Sequence, residues 1–225
     1  MAPAPLLFAM DSIPDDAPAP KPVRLRSRRL AQCFGCGLDP PSCLCGAMVP
    51  TAVRTHVAIA IHRVEVWKPS NTGRLATRLL EGATIRVHGA AHDDRSEVAE
   101  VEPVDPSIRR LVLFPLAEAR VLDERDAETP VTLVVPDGNW RQARKIARRR
   151  AQAGGELVML PPGPPTRYGL RRPAREGGIS TLEAIARALR VLEGPRGEEV
   201  EAHVLATFDE WVARYRALRG TRPDE

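Results

Sequence analysis

All four cysteines of the 225-residue chain fall in one short stretch, as Cys33-x2-Cys36-x6-Cys43-x-Cys45. Thiolates are soft ligands, and four of them in one segment can close a tetrahedral zinc site of the structural kind. Gly35, Gly37 and Gly46 stand among them, where tight turns are needed. The segment has little apolar material of its own, so bound metal would supply its order. Four protein ligands leave no open coordination position, which removes such a metal from catalysis. Two disulfides are the alternative for a secreted chain. However, the Leu6-Leu7-Phe8 cluster is too short, and lacks the preceding positive charge, to be a secretory signal. No apolar run approaches the ~20 residues of a membrane span. The expectation is a cytoplasmic protein with no membrane partner.

The second chemical feature is cationic. Lys plus Arg number 33 against 29 for Asp plus Glu, a net charge of +4 that says little by itself. Distribution says more. Residues 138–155 contain no acid, while Arg141, Arg144, Lys145, Arg148, Arg149 and Arg150 crowd one segment, and Arg167, Arg171, Arg172 and Arg175 follow. At helical spacing 141, 145 and 148 share a face. Such a face either is merely solvated or binds the phosphates of a nucleic acid, releasing counterions as it does so.

These features need elements to carry them. Residues 53–61 alternate as a strand, and 85–87, 111–114, 131–135 and 157–160 are further short β-type runs. The near-continuous apolar character of the last three suits strands buried on both faces. Residues 71–80 are expected as a helix with Leu75, Leu79 and Leu80 inward. Ser180-Thr181-Leu182-Glu183 fits a capping box that opens a helix ending near Glu193, before Gly194-Pro195. A last helix from about Glu198 places Val200, Val204, Phe208, Trp211, Val212 and Tyr215 on one stripe. Alternating strands and helices predict an α/β domain with a mostly parallel sheet. Sites in such sheets gather at the carboxyl ends of strands. Three of those ends are chemically rich: Phe114-Pro115, Pro136-Asp137-Gly138-Asn139-Trp140, and residues 161–172. None is a P-loop or a dinucleotide fingerprint, which counts against ordinary NTPases and Rossmann dehydrogenases.

In order along the chain stand the Cys quartet, His62-Arg63-Val64-Glu65, Asn71-Thr72-Gly73-Arg74-Leu75 and Leu113-Phe114-Pro115. Then come Asp137-Gly138-Asn139-Trp140 with Arg141-Gln142-Ala143-Arg144-Lys145, Tyr168-Gly169-Leu170-Arg171, and Ser180-Thr181-Leu182-Glu183-Ala184. In sequence and spacing, from about Cys33 to Leu192, they resemble the DTW-domain family, the tRNA-uridine aminocarboxypropyltransferases. The chain departs from the family pattern at Asn139, where the name motif has Thr, at Arg63, where Pro is usual, and at Thr166, where Ser is usual. Asn keeps a hydrogen-bonding side chain.

The resemblance implies a SPOUT-like α/β fold, a knotted SAM-binding region being one form it takes. It also implies transfer of the 3-amino-3-carboxypropyl group from S-adenosyl-L-methionine (SAM) to the imide nitrogen of a uridine in tRNA, with methylthioadenosine released. That nitrogen needs a base, and Asp137, at the end of a buried-looking strand, is the candidate; the bland reading is that Asp137 caps the next helix. By analogy with the loops family members use, Phe114, Pro115, Gly138, Leu160, Pro161 and Thr181 would line the SAM site, and Arg171 would hold either the methionine carboxylate of SAM or an RNA phosphate. Trp140, a flat surface for stacking, with Arg141, Arg144, Lys145 and Arg148, would hold tRNA. Cys33, Cys36, Cys43 and Cys45 would hold zinc. His62, Glu65, Asn71, Thr72 and Arg74 fit either the site or local structure. Rival readings are a SPOUT-type RNA methyltransferase and a non-catalytic, zinc-stapled RNA-binding protein. The expected organisation is a disordered Pro/Ala-rich and basic segment 1–29, a four-cysteine zinc-binding segment 30–48, an α/β catalytic domain 49–218 and a tail 219–225. Nothing in the chain calls for an obligate protein partner.

Overall fold

The computed structural model describes residues 32–89, 107–170 and 177–220. The N-terminal segment expected to be disordered lies outside them, as do Arg171, Arg172 and Arg175. Six strands form one sheet: β1 (His56–His62), β2 (Thr84–His88), β3 (Arg109–Leu113), β4 (Arg120–Val121), β5 (Val131–Asp137) and β6 (Glu156–Met159). Their spatial order is β2-β1-β5-β3-β6-β4. Every pairing between them is parallel. Among the described residues four α-helices surround the sheet: α1 (Gly73–Leu79), α2 (Trp140–Gln152), α3 (Thr181–Leu192) and α4 (Gly197–Arg219).

Strand parity builds two cores. Val57, Ile59, Ile61, Leu111, Leu113, Val131, Leu133 and Val135 face Leu75, Leu79, Leu182, Leu189, Phe208 and Trp211, from α1, α3 and α4. Their neighbours Ala60, Val112 and Val134 face Ala143, Ile146 and Ala147 of α2. This is why the strands read as unbroken apolar runs, since both faces are covered. The α4 stripe from Val200 to Tyr215 is buried as its period predicts.

The Cys segment shares the first core. Cys36, Leu38, Leu44 and Met48 are buried with the α4 stripe. Trp211 donates its indole N–H to the carbonyl of Cys36 at 2.7 Å, and Arg214 reaches the carbonyls of Ser42 and Cys43. No helix among the described residues is long and apolar enough to cross a membrane.

The topology has a switch point. The helix after β1 lies on one face and the helix after β5 on the other, and these two strands are neighbours, with Ile61 opposite Asp137. The two connections therefore part company at the carboxyl ends of β1 and β5. Such a switch point leaves a crevice, the usual place for a site in an open parallel sheet.

Candidate functional site

Asp137 ends β5 in the crevice. It has the parity of Leu133 and Val135, which turns its side chain toward α1 and α3 and away from α2. It is buried, 4% exposed. Asn71 Nδ2 donates to Oδ2 at 2.6 Å, and Thr181 Oγ1 donates to Oδ1 at 2.9 Å. These two donors orient the carboxylate. Gly73 makes room: a Cβ there would stand 2.5 Å from Oδ2.

The supporting bonds cross between elements. Asn71 accepts from the Arg74 N–H at 3.2 Å, closing the first turn of α1 while holding Asp137 with its amide. Thr72, the position before α1, accepts from the backbone of Leu182, so its hydroxyl serves the free amides of α3. Glu183, 1% exposed, accepts from the N–H groups of Ser180 and Arg167 and from the Thr166 hydroxyl. That ties the loop after β6 to the start of α3. Tyr168 then donates to the Ser70 carbonyl at 2.6 Å, beside Asn71. The departure at Thr166 keeps the hydroxyl this network uses.

Asp137 does not cap α2. The cap is Asn139, in a reciprocal box: its Oδ1 accepts from Gln142 N at 3.0 Å, and Gln142 Oε1 accepts from Asn139 N at 2.9 Å. Asn and Thr both serve this position, so the change in the name motif preserves the local role. Gly138 is needed for the same turn, because a Cβ would lie 2.9 Å from that of Gln142.

The residues expected to line a SAM site divide. Thr181 touches Asp137. Phe114, at the end of β3, is buried on the α2 side against the half-buried Trp140, ring centroids 4.7 Å apart. Pro115 is exposed and Leu160 half-buried. Pro161 lines a cavity of about 670 Å³ with Pro164, Arg187 and Arg190, which Asp137, Phe114 and Thr181 do not line. Arg171 lies outside the described residues.

Arg141, Arg144, Lys145 and Arg148 are all exposed on α2, and none makes a hydrogen bond or ion pair to a described residue. Other arginines are structurally engaged: Arg109 and Arg120 bind Asp126 and Glu156. Arg150, on the inner face, is buried and bonded to His88 Nε2 at 2.5 Å. At the end of β1, burial pushes His62 below its ordinary range, helped by Arg63, Lys145 and Lys68 and opposed by Glu65. Glu65 is buried and paired with Lys68.

The four Cys sulfurs lie within 4.8 Å of one another, with Cys33–Cys45 at 3.6 Å and Cys36–Cys43 at 3.7 Å. A tetrahedron of ~2.3 Å zinc–sulfur bonds requires sulfurs about 3.8 Å apart, so the set fits. A disulfide would need about 2.05 Å. Burial pushes the Cys33 thiol up, but the backbone N–H groups of Cys36 and Gly35 and the thiols of Cys43 and Cys45 outweigh it, bringing it to about 6. Burial and the neighbouring sulfurs raise Cys45. One thiol is thus primed as a thiolate, and crowding between the sulfurs is what a cation relieves. Arg74 lies beside both centres. Burial lowers its pKa, while Asp137, Cys36 and Cys33 oppose the fall.

Two curated relatives are similar over most of this chain, and both are named tRNA-uridine aminocarboxypropyltransferase 2. The Macaca fascicularis protein is 29% identical over 201 residues, 85% of this chain and 67% of its own. The Drosophila melanogaster protein is 31% identical over 170 residues, 73% and 68% respectively. No solved structure matches. The DTW domain family model covers residues 30–216, from just ahead of Cys33 to the far end of α4, and the chain belongs to that family.

Proposed function

We propose that the protein moves the 3-amino-3-carboxypropyl group of SAM to the imide nitrogen of a uridine in tRNA, and that the parallel sheet is of the SPOUT-like kind. The names of both relatives support the reaction class. The observation that carries the residue assignment is Asp137, a buried carboxylate held by Asn71 and Thr181 at the switch point of the sheet.

Asp137 takes the imide proton in this reading. The freed nitrogen lone pair attacks the terminal carbon of the aminocarboxypropyl arm, the carbon–sulfur bond breaks, and its electron pair leaves on sulfur as neutral methylthioadenosine. A sulfonium presents three carbons to attack, and only bound geometry selects among them. Phe114, Pro115, Gly138, Leu160, Pro161, Arg171 and Thr181 are proposed to line the SAM site, Thr181 through its place beside Asp137. Arg141, Arg144, Lys145 and Arg148, with Trp140 at the start of α2, hold tRNA; the lack of partners for these four cations among the described residues supports this. Zinc on the four cysteines orders the segment docked on α4.

Purified protein, unmodified tRNA transcript and SAM provide the test. Nucleoside mass spectrometry should find aminocarboxypropyluridine, with methylthioadenosine released in equal amount. Methylated nucleoside with S-adenosylhomocysteine would make the protein a methyltransferase instead. Binding of tRNA with no SAM consumption would leave an RNA-binding domain.

A further inference from the structure

Aromatic residues make up only 4% of the chain, yet two of them stand together on the surface. Phe34 is 71% exposed and Trp67 68%, the highest values among the large apolar side chains described. Their rings meet edge to face, centroids 6.1 Å apart at 64°. Other aromatic rings are used in packing: Tyr168, Phe208, Trp211 and Tyr215 form one connected set, and Phe114 and Trp140 another. Burying a ring of this size contributes strongly to the stability of a fold. Two left side by side in water therefore point to a partner.

The pair is rigidly mounted. Phe34 sits in the turn of the metal segment, where Gly37 N donates to Cys33 O and Cys33 N to Leu38 O. Trp67 sits between β1 and α1, in a turn closed by Glu65 and Lys68. One side chain joins the two turns: Arg74 donates to the carbonyls of Phe34 at 3.3 Å, Val66 at 2.6 Å and Lys68 at 2.9 Å. The backbone of Arg74 bonds Asn71, and Asn71 bonds Asp137. Two residues therefore connect the ring pair to the carboxylate.

The surroundings favour an anion. Between residues 61 and 80 the only acid is Glu65, buried and paired with Lys68, while Arg63 is exposed. Arg63 and Lys145 both act on His62, so the cations of this turn neighbour Lys145 of the cationic face of α2. Flat rings in a cationic surround are what single-stranded nucleic acid stacks on.

We propose that Phe34 and Trp67 form a stacking platform for an unpaired nucleobase of the substrate RNA, set beside the uridine on which Asp137 acts. This rests on the tRNA reading above. Proteins that recognise RNA by sequence splay unpaired bases onto aromatic faces, and a base held here fixes the strand relative to Asp137 through Arg74 and Asn71. The metal segment thereby gains a role in binding, because ligation at Cys33 and Cys36 holds Phe34 in place.

The test uses the full-length, metal-replete protein, with tRNA affinity measured by titration and KM for tRNA and for SAM measured separately. Trp67→Ala should weaken tRNA binding by about five- to a hundred-fold and leave KM for SAM and the melting temperature unchanged. Trp67→Phe should recover most of the loss. Phe34→Leu, which keeps apolar bulk without a ring, should behave like an alanine variant with full metal content. Unaltered tRNA affinity in Trp67→Ala would overturn the platform, as would a loss that phenylalanine fails to repair. A rise in KM for SAM alone would reassign the rings to the other substrate. If the wild-type protein neither binds nor modifies tRNA, the functional reading falls as well; if it does both and Trp67→Ala keeps pace, only the platform falls.

Discussion

Asn71 donates to Oδ2 of Asp137 at 2.6 Å although 66 residues separate them in the chain. The same Asn71 side chain accepts the N–H of Arg74, so the start of α1 and the end of β5 are fixed by one amide. Asp137→Asn conserves shape but cannot take a proton. It should fold with wild-type stability and lose about 10²–10⁴-fold in turnover, read by nucleoside mass spectrometry. Asn71→Ala should cost about 1–3 kcal/mol in denaturant titrations as well as reducing turnover. Wild-type turnover in Asp137→Asn would remove the residue from the chemistry.

Gly73→Ala separates site geometry from stability. Alanine is the better helix former by about 1 kcal/mol, so α1 gains locally. The added Cβ, 2.5 Å from Asp137 Oδ2, forces the carboxylate to move. Turnover should fall at least ten-fold while the melting temperature stays near that of the wild type. Equal turnover would show that the position of Asp137 is not critical.

Much of the frame is legible in the sequence, and the reasons legibility stops are physical. Strands covered on both faces declare themselves as apolar runs, as β3, β5 and β6 do; alternation marks β1 and a short apolar run marks β2, while β4, two residues long, has neither signal. β5 continues beyond its apolar stretch to Asp137 because its ladder with β1 persists to Ile61, and hydrophobicity does not see ladder bonds. α1 begins at Gly73, later than residue 71, since Asn71 is occupied with Asp137 and with closing the turn. Asp137 stands out by type and place, but its pairing with Asn71 and Thr181 depends on which connections cross the crevice. The 3.6 period could have signalled that Arg150 lies inward with Ala143, Ile146 and Ala147. No periodicity marks Phe34 or Trp67, since both lie in turns.

Glu183 is a structural keystone for the loop that faces the crevice. Its carboxylate collects two backbone donors and one hydroxyl while almost wholly buried. Glu183→Ala strands all three, and at about 1–3 kcal/mol for each buried unsatisfied donor the loss should exceed about 3 kcal/mol in urea unfolding. Glu183→Gln, which keeps an acceptor, should lose less. Alanine with unchanged stability would mean that water replaces the carboxylate.

Metal removal should be visible from Trp211, whose indole N–H binds the Cys36 carbonyl. Chelation relaxes the turn at Cys36 and exposes the α4 stripe beneath. A red shift in tryptophan emission and a lower melting temperature are expected, both reversed by zinc, and the emission change should be much reduced in Trp211→Phe. Protein purified without chelators should carry one zinc per chain. A metal-free preparation with the same melting curve would refute a structural metal.

Arg144 and Arg148 of α2 differ from Arg109 and Arg120 in what they touch. Arg109 and Arg120 are satisfied by Asp126 and Glu156, and removing them should loosen the sheet edge. Arg144 and Arg148, exposed on α2 with no described partner, should be removable at almost no cost in stability. If they bind phosphates, the double variant Arg144→Ala, Arg148→Ala should bind tRNA more weakly at every salt concentration. The slope of log affinity against log salt should fall by about 2, one for each lost contact. KM for SAM should stay constant, because charge on this face neutralises a backbone and does not touch the reacting carbon. An unchanged slope would mean the tRNA lies elsewhere, even if overall affinity dropped.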